Sequence, residues 1–146
     1  GTVEIRVCDG LQTLRETVAL VALVQCLYTW LNERYRSGEK FTPPPYWILR
    51  ENKWKASRYG LDAEVILDVS GKTNLLKIEI ESVVDRLMST AESLGCQEEL
   101  SDVKRMLHHG LGYERQQRVF EKEGTFLAVT ESILQDFKRR EPLFWD

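Results

Sequence analysis

Residues 45–62 read PYWILRENKWKASRYGLD and hold the strongest local signals in the chain. Pro45 suits the first turn of a helix and Gly60 suits the left-handed position that ends one, so the stretch predicts a helix over residues 46–59. One face of that helix carries four residues at successive spacings of four, three and four, which are Trp47, Glu51, Trp54 and Arg58. Aromatic walls beside a carboxylate and a guanidinium indicate a polar pocket. The alternative is an amphipathic helix with its tryptophans in the core.

Downstream of this helix the pattern predicts a hairpin and then a series of helices. Residues 63–69 and 74–78 are strand-like, and the turn residues Ser70, Gly71 and Lys72 separate them. Glycines or a proline bound the helices that follow, which are predicted for residues 78–94, 97–109, 113–122 and 125–140. The sequence therefore predicts an α+β fold that is mostly helical, with five or six helices.

Upstream lie a short strand and a long apolar helix. Residues 2–8 alternate between apolar and polar side chains, as a half-buried strand does, but no hairpin partner follows. Thr13 and Glu16 form a capping-box pattern that begins a helix reaching about Arg36. The middle of this helix is apolar almost all round, so it needs partners that the rest of the chain supplies only in part. We therefore expect the chain to be the C-terminal part of a larger protein.

Bulk properties exclude several classes of function. The chain has 146 residues and a net charge of −3, so no global basic field draws it to nucleic acid or to a membrane. Its three cysteines fit no metal motif, and we interpret the protein as reduced and cytoplasmic. Cys26 is expected to be a small buried hydrophobe. No signal peptide is expected, and the apolar run 18–31 is shorter than the roughly 20 residues that a bilayer requires.

Further candidate residues for chemistry lie in the predicted N-terminal strand and in the helix predicted over residues 46–59, here called the central helix. Glu4 and Arg6 share one face of the predicted strand, where a carboxylate can hold Mg²⁺ and a guanidinium can bind a phosphate or carboxylate. A cross-strand ion pair on a solvated sheet is the alternative. In the central helix, Arg58 can neutralise a transferring phosphoryl group. The polar run 115–118 is interpreted as a solvated face or an inter-domain contact.

Residues 51–68, ENKWKASRYGLDAEVILD, resemble a C-terminal motif of the carboxylate–amine ligases in the glutamate–cysteine ligase type 2 family. The opening TVEIRVCD and the following TLRETVALVALVQCL resemble the late strand of that family and the helix after it. AESLGC and HHGLGYERQQRVFEKEGTFLAVTESIL are similar to its closing helices. The resemblance covers nearly the whole chain in the same order. It departs from the common motif at Lys53, where arginine is frequent.

The resemblance implies a glutamine-synthetase-like ligase fold, in which a curved antiparallel sheet carries the nucleotide, metal and amino-acid sites. It implies that ATP, with Mg²⁺, phosphorylates the γ-carboxylate of glutamate and that an amine such as cysteine displaces the phosphate. Matched onto the family motifs, Glu4 would be a metal ligand, and Arg6 and Arg58 would be catalytic clamps. Substrate would be bound by Glu51, Asn52 and Trp54.

Most of such a sheet would lie upstream of this chain. We therefore expect residues 1–146 to be a single C-terminal domain or fragment that is inactive alone, or nearly so. Its expected partners are the missing N-terminal part, glutamate and an amine, and a homodimer is a further candidate; neither nucleic acid nor a membrane is expected. The alternative function is a non-catalytic helical interaction or dimerisation module.

Overall fold

A computed structural model describes residues 4–5, 10–143 and 145. Among these residues are six α-helices, one 3₁₀ helix and a two-stranded antiparallel sheet. In chain order the elements are α1 (Leu14–Arg36), α2 (Tyr46–Tyr59), a 3₁₀ helix (Gly60–Asp62), β1 (Glu64–Ile66), β2 (Thr73–Leu75), α3 (Leu76–Leu94), α4 (Gln97–His109), α5 (Gly112–Glu123) and α6 (Phe126–Arg139). The predicted mostly helical α+β class is confirmed.

Helices α1, α3 and α4 pack on one another and form the core. The α1 side of the core consists of small residues at helical spacing, which are Ala19, Ala22 and Cys26. Larger side chains face them from α3 and α4, including Val84, Leu87, Leu100, Val103 and Met106. Small residues let the backbones of neighbouring helices approach closely, so α1 lies deep in the bundle along this one face.

The other side of α1 is apolar but open. Val21 and Tyr28 are 58% and 60% exposed, and Val18 and Leu31 on the same helix are exposed as well. The prediction that α1 needs partners beyond those in the chain is therefore consistent with its exposure. Of the described helices, α1 alone is long and apolar enough to cross a membrane, a test that core helices of soluble proteins also pass.

The hairpin is shorter than predicted. β1 and β2 pair antiparallel with Val65 opposite Asn74, and the Leu67 N–H donates to the Lys72 carbonyl at 2.7 Å across the turn. Helix α3 begins at Leu76, two residues before the predicted start, because the helical spacing of core residues such as Ile80 and Leu87 extends back to that point. The other predicted helices end within two residues of their observed bounds.

The predicted strand at residues 2–8 lies mostly outside the described residues. Only Glu4 and Ile5 are described there, and both are exposed and lie outside any strand. Ile5 borders an apolar groove along α1 with Leu20, Val21 and Val24. The prediction of an unpartnered strand therefore stays a prediction.

A buried ion pair attaches α5 to the start of α1. Arg115 is 2% exposed and Glu16 is 1% exposed, and the Arg115 Nη1 and Nη2 atoms lie 2.8 and 3.0 Å from the two Glu16 carboxylate oxygens. Arg115 also donates to the Gly110 carbonyl and to the Gln12 side chain, each at 2.9 Å. Asp136 of α6 supplies a second carboxylate 3.7 Å from Arg115 Nε. Helices α1, α5 and α6 thus meet around one guanidinium.

The contacts of Arg115 and Glu16 correct two predictions made from the sequence. The run 115–118 is not a wholly solvated face, because Arg115 turns into the protein and is held there by Glu16. The predicted capping box at Thr13 is only half formed. The Thr13 hydroxyl oxygen accepts from the Glu16 N–H at 3.2 Å as expected, but the Glu16 carboxylate accepts from the Thr13 hydroxyl and from Arg115.

Candidate functional site

The predicted site face of α2 is present, and it is open to solvent. Trp47 and Trp54 are 50% and 55% exposed, and Glu51 and Arg58 are exposed beside them. The inward face of α2 is a different one, and Ile48 is its buried anchor. The tryptophans are therefore not core residues in this chain. They border an exposed aromatic and charged surface rather than an enclosed pocket.

An aromatic and cationic cluster marks the C-terminal end of this face. The Trp54 and Tyr59 rings meet edge to face, with their centroids 5.8 Å apart at 84°. The Arg58 guanidinium carbon lies 6.0 Å from the Tyr59 ring centroid. A guanidinium near an aromatic face keeps its charge and its donors available to an anion. The cluster can therefore bind a phosphate or a carboxylate that approaches from solvent.

Asn52 anchors α2 to the hairpin. Its Nδ2 donates to the Ile66 carbonyl at 2.8 Å, and the Ile66 N–H donates to its Oδ1 at 2.7 Å. The side-chain amide thus pairs with the outer edge of β1 as another strand would. Both polar atoms of Asn52 are engaged, so the structure assigns it a role in holding the site helix. A direct part in binding substrate stays a prediction.

A polar groove of about 530 Å³ separates the end of α2 from α5. Arg58, Tyr59 and Asp62 border it on one side, and Tyr113 and Gln117 border it on the other. The Tyr113 pKa is raised, chiefly by burial and then by the negative charge of Glu114. Sequence reasoning missed Tyr113 as part of this surface, because only the fold brings α5 against the Gly60 corner.

The structure describes only one residue of the predicted Glu4–Arg6 pair. Glu4 is exposed, and Arg6 lies outside the described residues. Within the part of the chain that the structure describes, no group of three or more His, Cys, Asp and Glu side chains is placed to hold a metal ion. Of the candidate residues, the structure brings Glu51, Asn52, Trp54 and Arg58 onto one helix, which the sequence had already placed there.

The family model described as glutamate-cysteine ligase family 2 matches residues 1–132. A protein of Mycobacterium sp. (strain KMS) named "Putative glutamate--cysteine ligase 2-1" is 42% identical over 139 residues, which cover 94% of this chain and 37% of that protein. Similarly named relatives from Mycobacterium ulcerans (strain Agy99) and Paenarthrobacter aurescens (strain TC1) are 42% and 41% identical over 137 and 140 residues. They are covered over 35% and 37% of their lengths. The chain thus spans little more than a third of these curated relatives.

Proposed function

Because the chain belongs to glutamate–cysteine ligase family 2, we propose that it is the C-terminal portion of an ATP-dependent carboxylate–amine ligase. The parent protein would join the γ-carboxylate of glutamate to an amine such as cysteine through γ-glutamyl phosphate, as a step of glutathione biosynthesis in the cytoplasm. The observation that supports this proposal most is the open α2 face, where the residues of the family motif stand exposed beside a polar groove.

The candidate site residues have proposed tasks. Arg58 binds a phosphate or carboxylate and offsets the negative charge that develops during phosphoryl and acyl transfer. Trp54 forms a wall against the carbon skeleton of the substrate, and Glu51 accepts from a substrate ammonium. Asn52 contributes by fixing the helix on β1. Arg6 would act with Arg58 as a second anion clamp.

Mg²⁺ is proposed for the parent and not for the described residues alone. A hard cation needs several oxygen ligands. The described residues offer no such cluster, so Glu4 could hold the ion only with ligands from other parts of the protein.

We propose further that the upstream part of the parent covers the open face of α1. The relatives are much longer than this chain, and the exposed Val21 and Tyr28 sit on an apolar groove that Ile5 already borders. Burying apolar area of this kind stabilises a protein by about 25 cal/mol per Å². Because the upstream part would also supply most of the active site, the chain alone should form no ADP, and steady ADP formation by the purified chain would contradict this.

The deciding experiment is an ADP-release assay on the full-length parent. Mg-ATP and glutamate are supplied with a panel of amines that includes cysteine. ADP release that requires glutamate and one amine together would support the ligase and identify the second substrate. No release with any pair, from a well-folded parent, would reject it.

Replacing Arg58 by Ala in the parent is expected to lower turnover by at least a hundredfold. The reason is that a preorganised charge at a developing anion contributes about 3–4 kcal/mol to catalysis. Turnover is measured by ADP release, and thermal unfolding is followed in parallel. Lys53→Ala on the same helix is the matched control, since Lys53 is exposed and is not three or four residues from any residue of the site face. Wild-type turnover in the Arg58 variant would remove Arg58 from the mechanism.

A second candidate function is a helical interaction or dimerisation module. The observation in its favour is an exposed apolar stripe on α6 formed by Phe126, Leu127, Leu134 and Phe137. Light scattering on the chain separates the two functions. A tight dimer that Phe137→Glu converts to monomer would favour the module, whereas a monomer or an undefined mixture would favour the ligase fragment.

A further inference from the structure

Two thiols meet where α1 crosses the junction of α3 and α4. The Cys26 and Cys96 sulfur atoms are 3.6 Å apart, although 70 positions separate the residues in sequence. Cys26 lies in the middle of α1, and Cys96 is the residue immediately before α4. Both are free thiols. The fold therefore places a cross-linkable pair between two helices of the core.

The two thiols differ in access. Cys26 is fully buried, and Cys96 is half-buried at the end of the bundle. Burial raises the pKa of Cys26 to about 11, and the contact with Cys96 adds to this. Because the thiolate is the nucleophile, Cys26 is unreactive toward reagents in solution at neutral pH. A reagent can reach the pair only through Cys96.

Closing the pair requires a small movement. A disulfide needs sulfur atoms about 2.05 Å apart, so the two atoms must approach by about 1.5 Å from their present 3.6 Å. Gly95, which precedes Cys96, has a φ of +69° and open space around it. A small shift of the α3–α4 connection therefore meets no side chain beside Gly95.

We propose that Cys26 and Cys96 form a reversible disulfide by exchange with a small-molecule disulfide. The Cys96 thiolate attacks one sulfur of that molecule, forms a mixed disulfide and releases one thiol. Cys26 then gives up its proton and attacks the Cys96 sulfur, which releases the second thiol. The two protein thiols are oxidised, the small disulfide is reduced to two thiols, and the two cysteine protons end on the released sulfur atoms.

The cross-link would fasten α1 to the start of α4. It closes a long loop of chain, so it restricts the unfolded state more than the folded one. The oxidised chain should then unfold at a higher urea concentration than the reduced chain, and a dithiol reductant should reverse the shift. Because α1 also carries the open apolar face, we expect that face to be more rigid when the pair is oxidised than when it is reduced.

The test exposes the reduced chain to glutathione disulfide and then counts free thiols by alkylation in denaturant. The reduced chain has three cysteines and takes three labels. We expect oxidation to remove the labels on Cys26 and Cys96 and to give a cross-linked Cys26–Cys96 peptide and a raised urea midpoint that dithiothreitol restores. Three labels after prolonged exposure, or cross-links that join separate chains, would overturn it.

Single cysteine substitutions test whether Cys96 reacts with the small disulfide first and Cys26 second. Cys26→Ser should stop at a mixed disulfide between glutathione and Cys96, because the resolving thiol is gone. Cys96→Ser should leave Cys26 unmodified, since the remaining thiol is buried and protonated. Cys8→Ser, outside the described residues, should cross-link as the wild type does. A Cys96→Ser chain that is still modified at Cys26 in the folded state would contradict the route through Cys96.

Discussion

At the scale of single residues, the contact with the greatest structural consequence is the buried pair of Arg115 and Glu16. Two charges without solvent around them are costly, and their mutual hydrogen bonds largely offset that cost. Arg115 uses its Nη atoms on Glu16, Gln12 and Gly110, and Asp136 lies beside its Nε. The pair therefore joins α5 to α1, with Asp136 of α6 beside it.

Removing one member of this pair should be strongly destabilising. Glu16→Gln keeps the shape and leaves Asp136, 3.7 Å from Arg115 Nε, as the remaining buried carboxylate, so we expect a loss of about 1.5–3 kcal/mol in the free energy of unfolding from the weakened charged hydrogen bonds. Urea denaturation measures it. Glu123→Gln is the matched control, because the Lys122–Glu123 pair is exposed and should contribute under about 1 kcal/mol. Equal effects of the two variants would show that burial does not set the strength of the first pair.

The raised pKa of Tyr113 predicts that the protein loses stability at alkaline pH. Burial raises its pKa above the usual value of 10.0, so the folded state favours the neutral phenol. Its contribution is fully present below about pH 10 and is lost as the pH rises through the folded pKa. Tyr113→Phe should remove one tyrosine with a raised pKa from a spectrophotometric titration and flatten the fall in stability above pH 10. An unchanged titration would place the high-pKa tyrosine elsewhere.

At the scale of elements, glycines end most of the helices, and they do so for different reasons. Gly60, Gly95 and Gly124 follow α2, α3 and α5 with positive φ angles, where other residues are strained. At Gly95 and Gly124 the space beside the Cα is open. At Gly60 it is filled, because a Cβ would lie 2.3 Å from the Tyr113 hydroxyl oxygen. The end of the site helix therefore also serves as a packing surface for α5.

The two kinds of helix end should respond differently to alanine. Gly95→Ala is expected to cost about 1–2 kcal/mol, the penalty for a left-handed residue with a side chain. Gly60→Ala should cost clearly more, since the added methyl group collides with Tyr113 as well. Thermal or urea unfolding of both variants makes the comparison, and Tyr113→Ala combined with Gly60→Ala should recover part of the difference. Equal losses in the two glycine variants would mean that Tyr113 moves aside freely.

At the scale of the whole molecule, the arrangement of faces is asymmetric. One side of α1 lies in the core, while its other side and the α2 face bearing Trp47 and Trp54 are open. The chain spans about 37% of the length of one Mycobacterium relative. Under the proposed function, the rest of the parent protein would cover the apolar face, and the polar aromatic face would bind substrate.

A charge on the α1 face should therefore affect the parent more than the chain. Val21→Glu places a carboxylate at an exposed site, so the isolated chain should keep its unfolding midpoint. In the full-length parent the same carboxylate would be buried, and soluble yield and thermal stability should fall. Val69→Glu in the hairpin turn is the matched control, as Val69 is also exposed. An unaffected Val21→Glu parent would show that the α1 face is not covered by the upstream part.

The sequence by itself determined the class of the fold and the bounds of most helices. Caps, glycine stops and apolar periodicity act within a few residues, so they can be read locally. It also placed Glu51, Asn52, Trp54 and Arg58 on one helix and pointed to the family. The tertiary structure alone decided that Arg115 is buried on Glu16, that Asn52 pairs with β1, and that Cys26 meets Cys96. These contacts join residues distant in sequence, and no local pattern encodes which of many polar or small side chains will meet.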